Sequence, residues 1–211
     1  MRKQAKMSVL KRILAVVIAV AVAVSMLTIP DAEVSAATGK VKSVAVTNLP
    51  AKQLTLKKGK SFTLKTKVSV SGKKVSKAVT YKTSNKKVAT VNAKGKITAK
   101  KNGKAVITVI SKANKKKTVK IKVTVGTPVT SIKLSKTKAS LTVGKNLKLK
   151  ATVAPKKASS KSVVWKTSNK KIATVSANGV VKGIKAGTVK ITALAKDGSG
   201  KKKVCKVTVN K

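Results

Sequence analysis

Lysine is the one side chain in this sequence numerous and regularly spaced enough to do chemistry. Of 211 residues, 51 are Lys or Arg, 3 are Asp or Glu, and none is His. Two triplets stand out, Lys115-Lys116-Lys117 and Lys201-Lys202-Lys203, with two alternating pairs, Lys120 with Lys122 and Lys148 with Lys150. Ammonium groups are compact point charges that attract polyanions. General acid–base work draws on His or on paired carboxylates, and metal sites on His, Cys, Asp and Glu. That inventory excludes Ser–His–Asp hydrolases, zincins, carboxylate-pair glycosidases and EF-hands. It offers no metal, cofactor or catalytic residue. A Ser–Lys dyad has both residue types in abundance but no motif to place it. No enzyme is expected.

The elements that would carry these lysines read as strands. Apolar residues alternate with Lys or Thr in Leu54-Thr55-Leu56, Val119-Lys120-Ile121-Lys122-Val123, Leu147-Lys148-Leu149-Lys150 and Val189-Lys190-Ile191-Thr192-Ala193. Period two marks a strand with one buried and one wet face. Lysines two apart on such a face stand about 6.6 Å apart, twice the rise per residue. Turn residues punctuate the runs at Lys58-Gly59, Ser71-Gly72, Asn102-Gly103, Asn178-Gly179 and Asp197-Gly198, a chemistry suited to tight hairpins. About seven short strands per unit, without a helical period, predict a small two-sheet β-sandwich. The last strand is expected to bury Cys205, Val207 and Val209 and to leave Lys206 and Thr208 outside.

The chain is duplicated. Tyr81-Lys82-Thr83-Ser84-Asn85-Lys86-Lys87-Val88-Ala89-Thr90-Val91 recurs as Trp165-Lys166-Thr167-Ser168-Asn169-Lys170-Lys171-Ile172-Ala173-Thr174-Val175. Downstream, Gly95 matches Gly179, Gly103 matches Gly187 and Ile107 matches Ile191; upstream, Gly59 matches Gly144 after a one-residue drift. The two units span 40–125 and 129–211, joined by Gly126-Thr127-Pro128, too short a linker for free tumbling. The triplets 115–117 and 201–203 are expected at matching hairpins of the two units.

These residues resemble a known family. Val163-x-Trp165-Lys-Thr-Ser-Asn-x-x-Ile172-Ala-Thr-Val175, then Asn178-Gly179 and Ala186-Gly187-Thr-x-x-Ile191-Thr-Ala193, is similar to the bacterial immunoglobulin-like group 2 domain. Ile132-x-Leu134, Leu141-x-Val143-Gly144 and Cys205-x-Val207-x-Val209 fit the same pattern, and Tyr81 to Val109 carries it in the first unit. The resemblance implies an all-β chain of two tandem Ig-like β-sandwich domains. It also implies a place among bacterial surface proteins, intimin and invasin adhesins included, as a spacer or as a carbohydrate- or receptor-facing module without catalysis. Family members usually carry Asp or Glu at several surface positions, where this chain has Lys or neutral residues.

A targeting segment precedes the units. Arg2, Lys3, Lys6, Lys11 and Arg12 form a basic flank, Ile13 to Val24 is unbroken and apolar, and Val34-Ser35-Ala36-Ala37 offers a small-residue cleavage site. Residues 1–37 thus read as a secretory signal peptide; the rival, a retained anchor, needs about 20 apolar residues. Cleavage removes both Arg and the acids Asp31 and Glu33, leaving 46 Lys against Asp197 alone, a net charge of +45. An extracellular protein is expected, secreted or held non-covalently at the envelope, without membrane insertion. Neither an N-terminal Cys for lipidation nor a Leu-Pro-x-Thr-Gly sorting signal is present.

The remaining notable residues have plain readings. Trp165, Tyr81 and Phe62 share parity with apolar neighbours and belong to the core rather than to stacking platforms. Cys205 reads as a buried thiol ahead of an intermolecular disulfide, and Asp197 before Gly198 as a turn residue. The lysines carry two readings. One is a solvated face that keeps the protein soluble and guards sheet edges. The other is a comb for an anionic cell-envelope polymer or acidic glycan, with non-specific nucleic acid as a further partner. Without Arg or surplus aromatics, sequence-specific nucleic-acid recognition is not expected. Like charge at this density opposes folding, so screening salt should raise the melting temperature. A melting point unchanged or lowered by added salt contradicts that repulsion.

Overall fold

The computed structural model describes residues 39–211, and the segment read as a signal peptide, 1–37, lies outside the described residues. Strands dominate, as the alternation predicts. The first sandwich comprises β1 (Lys40–Val46), β2 (Gln53–Leu56), β3 (Ser61–Thr63), β4 (Thr66–Ser71), β5 (Val79–Thr83), β6 (Ala89–Val91), β7 (Lys96–Ala99), β8 (Gly103–Ser111) and β9 (Thr118–Val125). The second repeats this order as β10 (Ser131–Leu134), β11 (Lys138–Thr142), β12 (Asn146–Lys148), β13 (Ala151–Ala154), β14 (Val163–Thr167), β15 (Ala173–Val175), β16 (Val180–Gly183), β17 (Gly187–Ala195) and β18 (Lys202–Asn210).

Each sandwich sets a four-stranded sheet, β2-β9-β8-β5 or β11-β18-β17-β14, against a three-stranded and a two-stranded sheet. That is nine strands and three sheets, where the alternation alone suggested about seven strands and two sheets. The reason lies in the opening run of each unit. β1 pairs antiparallel with β4, the chain then crosses the core, and β2 pairs parallel with β9 in the other layer. Leu49-Pro50 marks this crossing, where Pro cannot donate to a ladder. Asn48 fixes the departure, its side chain donating to Thr63 O and accepting Lys65 N–H, both at 2.9 Å. Apolar residues keep alternating through such a switch of layer, so periodicity cannot reveal it.

The turn residues divide in a similar way. Asn178-Gly179 and Asp197-Gly198 close the hairpins β15–β16 and β17–β18, whereas Lys58-Gly59 and Asn102-Gly103 carry the chain between sheets. Gly179 is required twice over. Its φ is +79°, and an added Cβ would lie 2.8 Å from Trp165 Cζ2 and 2.5 Å from Leu149 O.

Inward residues of both layers form the cores. In the first sandwich Leu54, Ile97, Ile107, Val109, Ile121 and Val123 are buried together. In the second, Val181, Val189, Ile191, Cys205, Val207 and Val209 form one cluster, and Ile132, Val153, Ala193 and Ala195 another. Trp165 is half-buried and packs against both clusters, and Tyr81 and Phe62 pack against the first core. All three aromatics are therefore core residues.

Candidate anion-binding surface

The lysines singled out in the sequence are exposed but do not converge. Lys120 and Lys122 lie on the outer face of β9, with Lys120 opposite Thr108 and Lys122 between Val106 and Gln53. With Lys104, Lys122 rims a cleft of about 510 Å³ that Ser159 and Ser160 of the second sandwich also line. Lys148 ends β12 and Lys150 follows it, in the other layer of the second sandwich. Lys115, Lys116 and Lys117 occupy the β8–β9 turn.

The second triplet is offset from its expected place. Lys117 and Lys201 are equivalent, since their carbonyls accept N–H from Ser111 at 3.1 Å and Ala195 at 2.9 Å. Lys202 and Lys203 instead enter β18, opposite Leu194 and Ala193. The turn of the second unit spends its middle on Asp197-Gly198-Ser199-Gly200, which moves its lysines along the chain.

Strand pairing assembles a denser group that sequence spacing did not bring together. On the outer face of the second sandwich, Lys206 of β18 stands opposite Lys190 of β17 on one side and Lys138 of β11 on the other. All three are exposed. The next row on that face is Thr188, Thr208 and Ser140, in the same cross-strand order. A depression of about 400 Å³ lies over Lys138, Ser140, Lys206 and Thr208. These residues are far apart in sequence, and only a ladder that includes the parallel β11–β18 pair makes them neighbours. Period two alone gives which face each lysine takes, not which lysine stands beside it.

The other polar candidates are structural. Cys205 lies wholly buried in the second core. Burial pushes its thiol up, and the Lys136 ammonium partly offsets this. Among the described residues, no three of His, Cys, Asp and Glu stand close enough to hold a metal ion.

Comparison with known proteins matches this architecture. The family profile of the bacterial Ig-like domain (group 2) fits residues 40–121 and again residues 128–207. The chain belongs to that family. A 3-O-α-D-galactosyl-α-L-arabinofuranosidase of Bifidobacterium longum subsp. longum is 49% identical over 51 residues, 24% of this chain and 4% of that enzyme. Among solved structures, domains 4 and 5 of the S-layer protein SbsC are 19% identical, with a TM-score of 0.35, over 82% of this chain and 100% of that one. The longer S-layer fragment rSbsC(31–844) is 20% identical, with a TM-score of 0.36, over 82% of this chain and 28% of that one. The C-terminal fragment of intimin, solved with the intimin-binding domain of its translocated receptor, is 18% identical, with a TM-score of 0.32, over 63% of this chain and 51% of that one.

The joint between the two bacterial Ig-like domains is built around Asp197, the only acidic side chain among the described residues. It is a turn residue, with Oδ1 accepting Ser199 N–H at 3.0 Å, but it is also fully buried. Oδ2 accepts Val129 N–H, where the linker enters the second domain, at 2.7 Å. Its backbone carbonyl accepts Thr55 N–H of the first domain, also at 2.7 Å. Gly198, at φ +76°, lets the turn approach closely, since a Cβ there would lie 2.8 Å from Leu49 Cδ2 and 3.0 Å from Leu54 Cδ1. Thr127 and Ser159 add a reciprocal pair, Thr127 N–H to Ser159 Oγ at 2.9 Å and Ser159 N–H to Thr127 O at 2.8 Å. Asp197→Ala leaves the Val129 N–H buried without its acceptor and is expected to cost about 1–3 kcal/mol in urea unfolding. Asp197→Asn keeps an oxygen acceptor and should recover most of that. Wild-type stability of Asp197→Ala would show that the carboxylate does not hold the joint.

Proposed function

We propose that this protein is a non-catalytic, extracellular or cell-surface pair of Ig-like domains that adheres through its lysine surface to anionic polymer: wall polymer, acidic glycan or extracellular DNA. The observation that carries the reading is the outward, uncompensated charge. Lys120, Lys122, Lys138, Lys190 and Lys206 project from outer sheet faces, while the one acid of the described residues is buried on backbone donors. Charge so placed binds polyanions by releasing their counterions, which makes retention salt-dependent. Family membership supports a surface setting, and the signal-like residues 1–37 support export. The stretch shared with the arabinofuranosidase is shorter than one Ig-like domain, and this chain has no His with which to build general acid–base chemistry, so that enzyme's activity is not carried over.

A second reading, an inert spacer that associates with another surface protein, is favoured by the joint. The Thr55 N–H bond to the Asp197 carbonyl joins the two domains, and the Asp197 carboxylate and Ser159 fix Val129 and the linker against the second, as a spacer of fixed reach requires. Retention on beads bearing poly(glycerol phosphate), polygalacturonate or DNA separates the two. At about 0.15 M salt the adhesion reading expects binding that is lost well before molar salt. The spacer reading expects no binding to any of the three. Retention through molar salt would rule out charge as the adhesive force.

A further inference from the structure

We propose that Lys138, Lys190 and Lys206, with the hydroxyls of Ser140, Thr188 and Thr208 beside them, form a phosphate-binding strip on the outer face of the second domain, and that the strip takes the phosphates of a linear phosphodiester polymer of the cell envelope. The proposal rests on the adhesion reading and gives it a place and a ligand class. Three adjacent strands each contribute one lysine at the same level. Strands stand about 4.8 Å apart, so the three stems fall within about 10 Å. The hydroxyl row lies one side-chain repeat further along, about 6.6 Å away. Four of these side chains, Lys138, Ser140, Lys206 and Thr208, line one depression, Lys190 and Thr188 stand beside it on β17, and none of the six is a carboxylate.

Solubility does not require this arrangement. Many other lysines of both domains are exposed, and like charges directly opposite one another on neighbouring strands destabilise a sheet. The first domain avoids the cost. Its equivalents of Lys190 and Lys138 are Val106 and Gln53, with only Lys122 kept at the centre in place of Lys206. The triple row is therefore particular to the second domain, at a position where the same fold does without it.

The chemistry favours phosphate. A phosphate offers several oxygens around one centre and can accept from adjacent ammonium and hydroxyl groups together, while a planar carboxylate meets fewer of them. Lysine binds phosphate as a point charge without requiring the bidentate geometry of Arg. Nucleic-acid bases call for exposed stacking aromatics; Phe62 and Tyr81 pack against the first core, and Trp165, half-buried against the second, reaches the surface only in a separate depression beside Lys166 and Lys170.

The test uses two double variants of the full protein that remove the same charge. Lys138→Gln/Lys190→Val installs the residues that the first domain already carries at these positions, so the fold tolerates them. Lys115→Gln/Lys116→Gln removes two lysines from the β8–β9 turn. Binding to poly(glycerol phosphate) at fixed salt should weaken at least tenfold in the face variant and no more than about twofold in the turn variant. The melting temperature of the unbound face variant should rise, because the row's repulsion is relieved. Equal weakening of both variants would overturn the strip while leaving charge-based adhesion standing. Polygalacturonate binding as tightly, with the same dependence on the face variant, would overturn the phosphate assignment, and single-stranded DNA doing so would overturn the envelope polymer as the source of the phosphates. Failure of the wild-type protein to bind any of the three polymers would overturn the adhesion reading and the strip with it.

Discussion

Repulsion among ammonium groups is the interaction to which the rest of this structure must answer. Two like unit charges 4 Å apart in water cost about 1 kcal/mol, and several times more where protein excludes water. With one acid among the described residues, the chain cannot neutralise its own lysines. Its remaining option is to keep each ammonium wet. A strand does this at no cost in register, because period two sends alternate side chains to opposite faces. Val119, Ile121 and Val123 go in, and Lys120 and Lys122 go out. The same alternation that builds each core therefore disposes of the charge, and the β-branched residues that fill the core suit the strand.

The single acid is spent internally. Asp197 could have relieved a lysine at the surface, yet its carboxylate accepts backbone N–H groups at the joint while its carbonyl reaches the first domain. The corresponding turn of the first domain has Ala113 and Asn114, where Asn114 Oδ1 accepts Lys116 N–H at 3.0 Å. That turn closes by the same local logic but carries no carboxylate. The difference between the repeats thus falls at the turn that meets another domain. It leaves the lysine faces without any internal counter-charge, so the anions that balance them come from solution or from a partner.

Much of this was legible in the sequence, because the signals were local or repeated. The duplication, the inward face of Cys205, Val207 and Val209, the packing of the half-buried aromatics on the cores and the family followed from period two and from one recurring segment. What escaped was non-local. The layer switch between β1 and β2 leaves alternation intact, so nine strands read as about seven. The turn role of Asp197 was readable from its glycine, but its burial depends on Thr55 and Val129, distant in the chain. Runs of consecutive lysines drew attention to 115–117 and 201–203, whereas the lysines that stand side by side are single residues on three strands. Adjacency across a sheet is set by register, and the parallel β11–β18 pairing has no signature in either strand alone.

In the proposed adhesion, an external anion is held at the outer face of one sheet and not by net charge spread over the surface. Backbone amide chemical-shift mapping during titration with poly(glycerol phosphate) at low salt tests this most directly. Shifts concentrated in β11, β17 and β18 around Lys138, Lys190 and Lys206, and abolished by added salt, are the predicted result. Shifts of equal size across both domains, or centred on the 112–117 turn, would contradict it.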